Sequence, residues 1–549
     1  MKRLLTLFLC LLQLSFVAQV QEYKDKYANG NTRSEGNYVN GFEEGLWKYY
    51  FESGTLQEES HYRKGNLNGS VKRFHPNGKL MVEGYFSMNK QDSIQRTFTS
   101  DGILVEEGFY TKGIKTGKWN YFFPAGDTMM VEEFRDGEEL LWLFCDANKL
   151  RTVTAGNGFM EEKFENGKLL RSSSFKNGRL DGPYVENYSG GSSRIRGEYK
   201  AGKEDGLWEE LYPSGNVKRH SHYTQGVLHG QFMEKYANGQ TSTVGTYSDG
   251  KKTAHWIWYL ENGTKDMEGD FDNDLQQGEW TFYYGNGNRE YWGNYSRGKM
   301  NGFWQYQYWE GQKWKEGDMA DDKKNGLWKY WYESTKPMME GHFKNDLEEG
   351  EWKSWYNNGF IQDIGNYEEG KMNGHWTGNH PNGVKSYEGQ WSIVKSKDEF
   401  AQTMSDLYKI KTDTTAKVKI GDVKKGKWTY WNDKGGIEKI ETYGADGSLN
   451  GPSESYNGSG RLESKGNYKN GKPDGKWSYY HPHGAPMRDC NYKEGKLNGK
   501  SVIYNERGRV IEQSNYKNNK LDGAYISYDE KTGKEVMRIE YENGKAKEK

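Results

Sequence analysis

Cysteine is nearly absent from this chain, with three in 549 residues, and Cys10 lies inside an N-terminal apolar run after Leu9, not after the small residue that precedes a lipid-modified cysteine. Cys145 and Cys490 stand about fourteen repeat lengths apart, too far for a bridge in a linear array. No disulfide framework is available, so the fold must stand on packing alone. Aliphatic residues are scarce as well. Hydrophobic residues make up only 33% of the chain and the mean hydropathy is −1.08, which excludes a thick aliphatic core. Charge of one sign is also missing: 77 basic and 78 acidic residues leave a net charge of −1, without blocks of either. The basic stripe of a nucleic-acid binder and the polybasic cluster of a membrane-surface binder are both lacking.

Catalytic signatures are missing too. The eleven histidines are scattered, with His220/His222 and His481/His483 as the close pairs. There is no His-Glu-x-x-His, no Cys-x-x-Cys and no Gly-x-Ser-x-Gly. No carboxylate pair stands out from those at repeat positions. The sequence therefore reads as no enzyme, with no cofactor and no metal. The one long apolar run, Leu4 to Val17 behind Lys2 and Arg3, is too short for comfortable membrane spanning and reads as a secretory signal over residues 1–18. Cleavage after Ala18 has Phe16 as a poor residue three places before the cut, and an uncleaved anchor is the competing reading. The expected location is exported: periplasmic, cell-surface or extracellular.

What the chain does hold is glycine and aromatic rings, 70 glycines, 41 tyrosines and 20 tryptophans, in register. Taking the first glycine as marker, a 24-residue unit starts at Gly206, Gly230, Ala254, Gly278, Gly302, Gly326, Gly350 and Gly374. The same step links Gly45, Gly69, Ser93 and Gly117, then Gly451, Gly475, Gly499 and Gly523. A fixed period of this size marks supersecondary units that bury their apolar faces only against neighbours.

Within residues 326–349, Trp328 and Tyr330 lie two apart and share one strand face, with Lys329 on the other. Asn-Gly separates the two runs of several units, as at Asn77-Gly78, Asn238-Gly239 and Asn358-Gly359, and predicts a hairpin because both residues tolerate positive φ. The second connection, Asn470 to Gly475 for example, is expected to be a slightly longer glycine-rich turn. The glycine of Glu-Gly-x-Tyr is expected to let a neighbouring ring lie flat on the backbone. The fold class is all-β: an elongated single-layer antiparallel meander of about twenty hairpin repeats. At roughly 4.8 Å per strand it would extend on the order of 190 Å.

The register breaks twice. Between Gly117 and Gly182 a new start near Gly158 comes early, so a return strand is shortened or the sheet bends. Between Gly374 and Gly426 extra material covers residues 392–420, where Ser396-Lys-Asp-Glu399 matches a capping box. Phe400, Met404, Leu407 and Tyr408 follow at helical spacing, so a short amphipathic helix is expected there as a brace or a docking site. The array divides into residues 22–391 and 421–546 around this insertion.

Two near-motifs fall at repeat positions. Gly495 to Ser501 is one residue short of a phosphate loop and aligns with the inter-repeat turn. Asp270 to Asp274 lacks the glycine and glutamate of a calcium loop, with Leu275 and Thr281 in their places. More than half of the tryptophans occupy the third place of the unit and read as scaffold. Trp292, Trp309 and Trp314 fall elsewhere, close to Tyr291 and Tyr308. These five are the candidate ligand site, where clustered rings could hold a sugar or a partner's side chains.

Tyr367 to Trp376 and Tyr468 to Trp477 resemble MORN repeats, in the bacterial variant known from exported or antitoxin-like proteins. The resemblance implies a twisted single-layer antiparallel sheet and a role in scaffolding, dimerisation or lipid contact. The departures are the length and the export signal. The expected function is a non-catalytic exported scaffold that binds another macromolecule at the cell envelope. The alternatives are a carbohydrate-binding surface protein, and an antitoxin or immunity protein. A protein partner or an envelope polysaccharide is expected, with edge-to-edge self-association open to the terminal strands.

Overall fold

The computed structural model describes residues 19–396 and 419–548. The expected signal, residues 1–18, and the expected helix from Phe400 to Tyr408 lie outside the described residues. The described chain is all-β, with 45 strands and no helix. It divides into two compact parts, residues 1–251 and 252–549. In each part the strands follow one another as an open antiparallel meander, as the repeat pattern predicts.

Four strands of the second part show the unit: β26 (Lys299–Gln307), β27 (Lys313–Ala320), β28 (Lys323–Trp331) and β29 (Pro337–Lys344). Trp304 stands opposite Gly317 and Trp328 opposite Gly341, so each third-place ring faces a glycine across the ladder. Opposed residues share a face. Trp304, Met319, Trp328, Phe343 and Trp352 accordingly form one buried cluster, with Tyr306, Tyr330 and Met339 packed against it. The other face carries Lys329 opposite Glu340 and Leu327 opposite His342.

A bulge aims each ring. Gly326, Leu327 and Trp328 lie between the pairs Asp318–Asn325 and Glu316–Lys329 and so stand against Gly317 alone. Gly326 enters the bulge at φ 71°, which favours glycine, although Ala254 takes the same place at φ 56°. The Trp328 ring then covers Gly317, and its Nε1–H donates to Asp318 O at 2.9 Å. Trp47 on Gly36, Trp280 on Gly269 and Trp477 on Gly466 repeat the arrangement, with Nε1 donating to Asn37, Asp270 and Asn467.

The two connections exchange the roles expected of them. At Asn77-Gly78 only Gly78 takes positive φ, 84°. His75 N donates to Lys79 O and Gly78 N to His75 O, both at 2.8 Å, which makes the longer turn. Asn77 acts through its side chain instead: Oδ1 accepts Lys79 N at 3.1 Å, and Nδ2 donates to Ser100 O of the next repeat at 2.7 Å. The tight two-residue turn is the other connection. Asn470 and Gly471, at φ 49° and 76°, join the paired Lys469 and Lys472, and the rest of the hexapeptide is already strand.

At the first register break a strand is indeed shortened: β13 (Arg151–Thr154) has four residues between β12 (Glu138–Cys145) and β14 (Asn157–Lys163). At the second, β33 (Lys385–Ser396) and β34 (Lys419–Trp431) run to 12 and 13 residues, and Ser392–Ser396 pair with Lys419–Val423. The insertion therefore begins and ends as an extension of one hairpin.

Candidate binding surface

Three surfaces follow from the unit. The first is the aromatic face, where rings from successive strands stack or meet edge to face. Phe282 and Tyr291 stack at 4.2 Å between centroids, and Tyr291 and Tyr306 at 5.5 Å. Burial pushes the Tyr291 and Tyr306 phenols up to about 12, so both stay neutral rings. The second is the turn edge. Tyr308 Oη donates to Trp331 O at 2.9 Å and Tyr332 Oη to Trp355 O at 2.8 Å, each reaching 23 residues along the chain. The third is the far face, with charged pairs such as Lys48 and Glu59 at 3.5 Å, or Arg96 between Glu83 at 3.0 Å and Glu107 at 3.4 Å. Among these charges Leu207, Phe303 and Leu327 remain 38–45% exposed.

The five candidate residues spread over all three surfaces. Tyr291 belongs to the aromatic face and packs against the buried cluster. Trp292, opposite Thr281 and Gln305, points to the far face, with the Arg289 guanidinium 5.2 Å from its ring. Tyr308 is a turn-edge tyrosine. Trp309 sits at the turn tip, 50% exposed, with its ring 5.1 Å from Tyr284. Trp314 is the unpaired residue of a bulge between Tyr306–Lys315 and Gln307–Lys313. The bulge turns it towards Tyr306 and Tyr308, 6.2 and 6.0 Å away, with Lys315 Nζ 4.2 Å from its ring. Tyr308 and Trp314 come together, whereas Trp292 is held away from them by strand alternation.

Neither near-motif forms a separate site. Asn273 and Asp274 are a two-residue turn, and Asp274 Oδ1 accepts Lys252 N at 2.8 Å. Asp270 Oδ1 lies 2.8 Å from His255 Nδ1. Glu494 and Gly495 form the same tight turn, with Leu497 N donating to Asn519 Oδ1 at 2.6 Å. Among the described residues no group of three or more His, Cys, Asp or Glu side chains is placed to hold a metal ion.

The family profile described as MORN repeat variant matches residues 43–64, 67–87, 204–225, 324–345, 449–470 and 473–494. Five of the six matches begin within a first strand, 449–470 begins two residues before one, and each ends at or beside the next tight turn. The chain belongs to the MORN-repeat family. Its MORN units thus run through both compact parts, and the third-place Trp, the facing Gly and the two turns are the family's structural chemistry in this chain. No curated protein matches it. Among solved structures it is similar to a chain in the crystal structure of TcdB2-TccC3-Cdc42, with a TM-score of 0.13 at 10% identity, covering 95% of this chain and 31% of that one. A chain of the Photorhabdus luminescens Tc holotoxin pore gives a TM-score of 0.12 at 10% identity, over 96% of this chain and 32% of that one. The MORN chain spans about a third of the length of these solved chains, and likeness at such scores carries no argument.

Proposed function

We propose that this MORN-repeat protein is a non-catalytic, exported scaffold whose far face binds another macromolecule at the cell envelope. One observation carries the reading. The ring, glycine and turn residues are consumed by the fold, while the far face sets out charged and half-exposed apolar side chains at the repeat spacing. A surface of regularly spaced, individually weak contacts suits an extended partner, because linked contacts add through effective concentration. Surface ion pairs there contribute only about 0–1 kcal/mol each, so exchanging them for a partner's charges costs little. Affinity purification of the tagged full chain from envelope fractions, with mass spectrometry, tests this. A reproducible envelope partner supports it. Recovery of the chain from the cytosol without one overturns it.

A second reading, a carbohydrate surface, draws support from the half-exposed Trp309 and Trp314 rings. It no longer includes Trp292 as part of the same platform. Glycan-array binding lost in the Trp309→Ala/Trp314→Ala double variant supports this version, and silence across envelope polysaccharides removes it. An antitoxin or immunity role would appear in the same purification as a toxin partner. Edge-to-edge self-association through β1 (Val20–Lys26), which pairs along one side with β2 (Thr32–Val39), is read by the solution mass.

A further inference from the structure

In the first part the ring-on-glycine pattern gives way between β10 (Ile114–Phe122) and β17 (Ser193–Lys200). On β11 (Thr128–Arg135), Glu132 takes the place of the facing glycine, opposite Trp119 on one side and Leu141 on the other. Leu141, Met160 and Tyr184 stand where other repeats carry tryptophan, and Ser173 replaces a second facing glycine. The missing indoles leave a cleft of about 370 Å³ on the aromatic face. That size lies within the range of about 300–1,000 Å³ usual for small-ligand sites.

The cleft is built, not frayed. The shortened β13 lets β12 reach β16 (Arg179–Asn187): Leu141 N donates to Gly178 O at 2.8 Å, Gly178 N to Gly156 O at 2.9 Å, and Glu138 pairs with Arg179. Its walls differ in character. Met160, Phe175 and Tyr184 give an apolar and aromatic side, while Glu132, Glu139 and Arg171 bring charge. Arg171 is already engaged by Glu162, so the cleft's own cation is spoken for. Glu132 and Glu139 line the cleft from neighbouring strands, where Glu139 opposes the ionisation of the buried Glu132.

A ligand that brings its own positive charge and N–H donors relieves that opposition and offers both carboxylates a partner. We propose that this cleft binds a primary ammonium group on an apolar stem, with Glu132 and Glu139 accepting from the ammonium and Met160, Phe175 and Tyr184 packing the stem. The proposal goes beyond the scaffold reading, which concerns the far face, and stands or falls separately from it. The same chemistry is offered by a free alkylamine and by a lysine side chain of a polypeptide.

The groups facing Glu132 set the pH dependence. Tyr121 Oη donates to its Oε2 at 2.9 Å, and Lys115, also on β10, attracts it while lying 3.6 Å from Glu106 of β9 (Leu104–Thr111). Glu139 of β12 opposes its ionisation, and Arg171 lines the cleft from β15 (Leu169–Lys176). Burial above all, then Glu139, pushes the Glu132 carboxyl up to about 7. Amine binding releases its proton, so affinity rises from pH 6 to pH 8.

Isothermal titration of the full chain with n-pentylamine, Nα-acetyl-lysine methylamide and the same compound acetylated at Nε tests the proposal. Both cations are expected to bind at millimolar or lower concentration, with proton release read from buffers of different ionisation heat. The Nε-acetylated compound should not bind. Glu139 is exposed at the rim, so Glu139→Gln keeps the circular dichroism spectrum of the native fold and weakens both amines by about tenfold or more, as loss of a charged hydrogen bond requires. Tighter binding of the lysyl compound assigns the ligand to a polypeptide, and the reverse assigns it to a free amine. Absence of binding at pH 8, equal affinity in Glu139→Gln, or equal binding of the acetylated compound overturns the proposal.

Discussion

The indole of Trp328 lies across Gly317 so closely that a Cβ on that glycine would stand 2.6 Å from the ring's Cδ1. The contact joins two strands with a ring in the space of a side chain. Gly317→Ala must displace the ring or separate the strands, and an overpacked core of this kind costs about 1–3 kcal/mol. Gly302→Ala meets nothing within 4 Å and faces only its φ of 70°, which costs about 1–2 kcal/mol. Its cost should fall at the low end, because Ala254 is native in the equivalent place. Urea titration with hydrogen exchange of the flanking amides separates the two. Exchange that spreads from Gly302→Ala and not from Gly317→Ala would contradict the stacking argument.

Trp328 and Trp309 belong to adjacent repeats and carry the same ring, yet Trp328 is 1% exposed and Trp309 50%. Trp328→Ala removes a ring from the buried cluster and should cost about 3–5 kcal/mol. Trp309→Ala should stay within about 1 kcal/mol, since half of its ring already meets water. Equal shifts in the urea midpoints would remove the assignment of the aromatic face.

Most of the fold is legible in the sequence because the period is long and the ring positions are strict. Trp328 and Tyr330 two apart, with a glycine across the ladder, name the buried face before any coordinate. The turns were harder. Asn-Gly suits a two-residue turn by φ alone, but Asn77 spends its side chain on Lys79 N and Ser100 O, and that capping favours the longer turn. Cross-repeat bonds of this kind have no signature in a single unit. The candidate ring site was legible only in part. Spacing gathers Trp292 with Trp314 in sequence, whereas alternation and a bulge send them to different surfaces. Glu132 falls 24 residues after Gly108 and so stands on the period as a substituted glycine, but among many acids its meaning rests on its place opposite Trp119.

Tyr332 tests the turn edge. Its hydroxyl donates to Trp355 O at 2.8 Å, and nothing else about the ring changes in Tyr332→Phe. Loss of this bond should cost about 1 kcal/mol. The effect should be local, read as faster amide exchange around Trp355. A variant with unaltered exchange there would show that the edge ladder adds no stability.

Glu132 gives stability an unusual dependence on pH. Its carboxyl sits near 7 in the fold against an ordinary 4.5, chiefly because it is buried. A carboxyl raised on folding favours the folded state when protonated, so its contribution is full below about pH 4.5 and is lost as the pH rises through about 7. Glu209 and Glu210 act in the opposite sense. Although burial works against it, bonds from Arg196 and His220 hold Glu209 low, and bonds from Lys218 and Arg219 hold Glu210 low. Their contributions are present above the ordinary carboxylate range and fade only in acid. Histidines also titrate between pH 5 and pH 8, but none lies between His75 and His220, so the β11 and β12 amides report Glu132 over that interval. Hydrogen exchange of the β11 and β12 amides in the native chain should quicken over that interval beyond the intrinsic base-catalysed rate. Glu132→Gln, which cannot ionise, should keep the opening free energy constant across it and be the more stable chain at pH 8. A native chain and variant that change in parallel would mean that Glu132 does not titrate in this window.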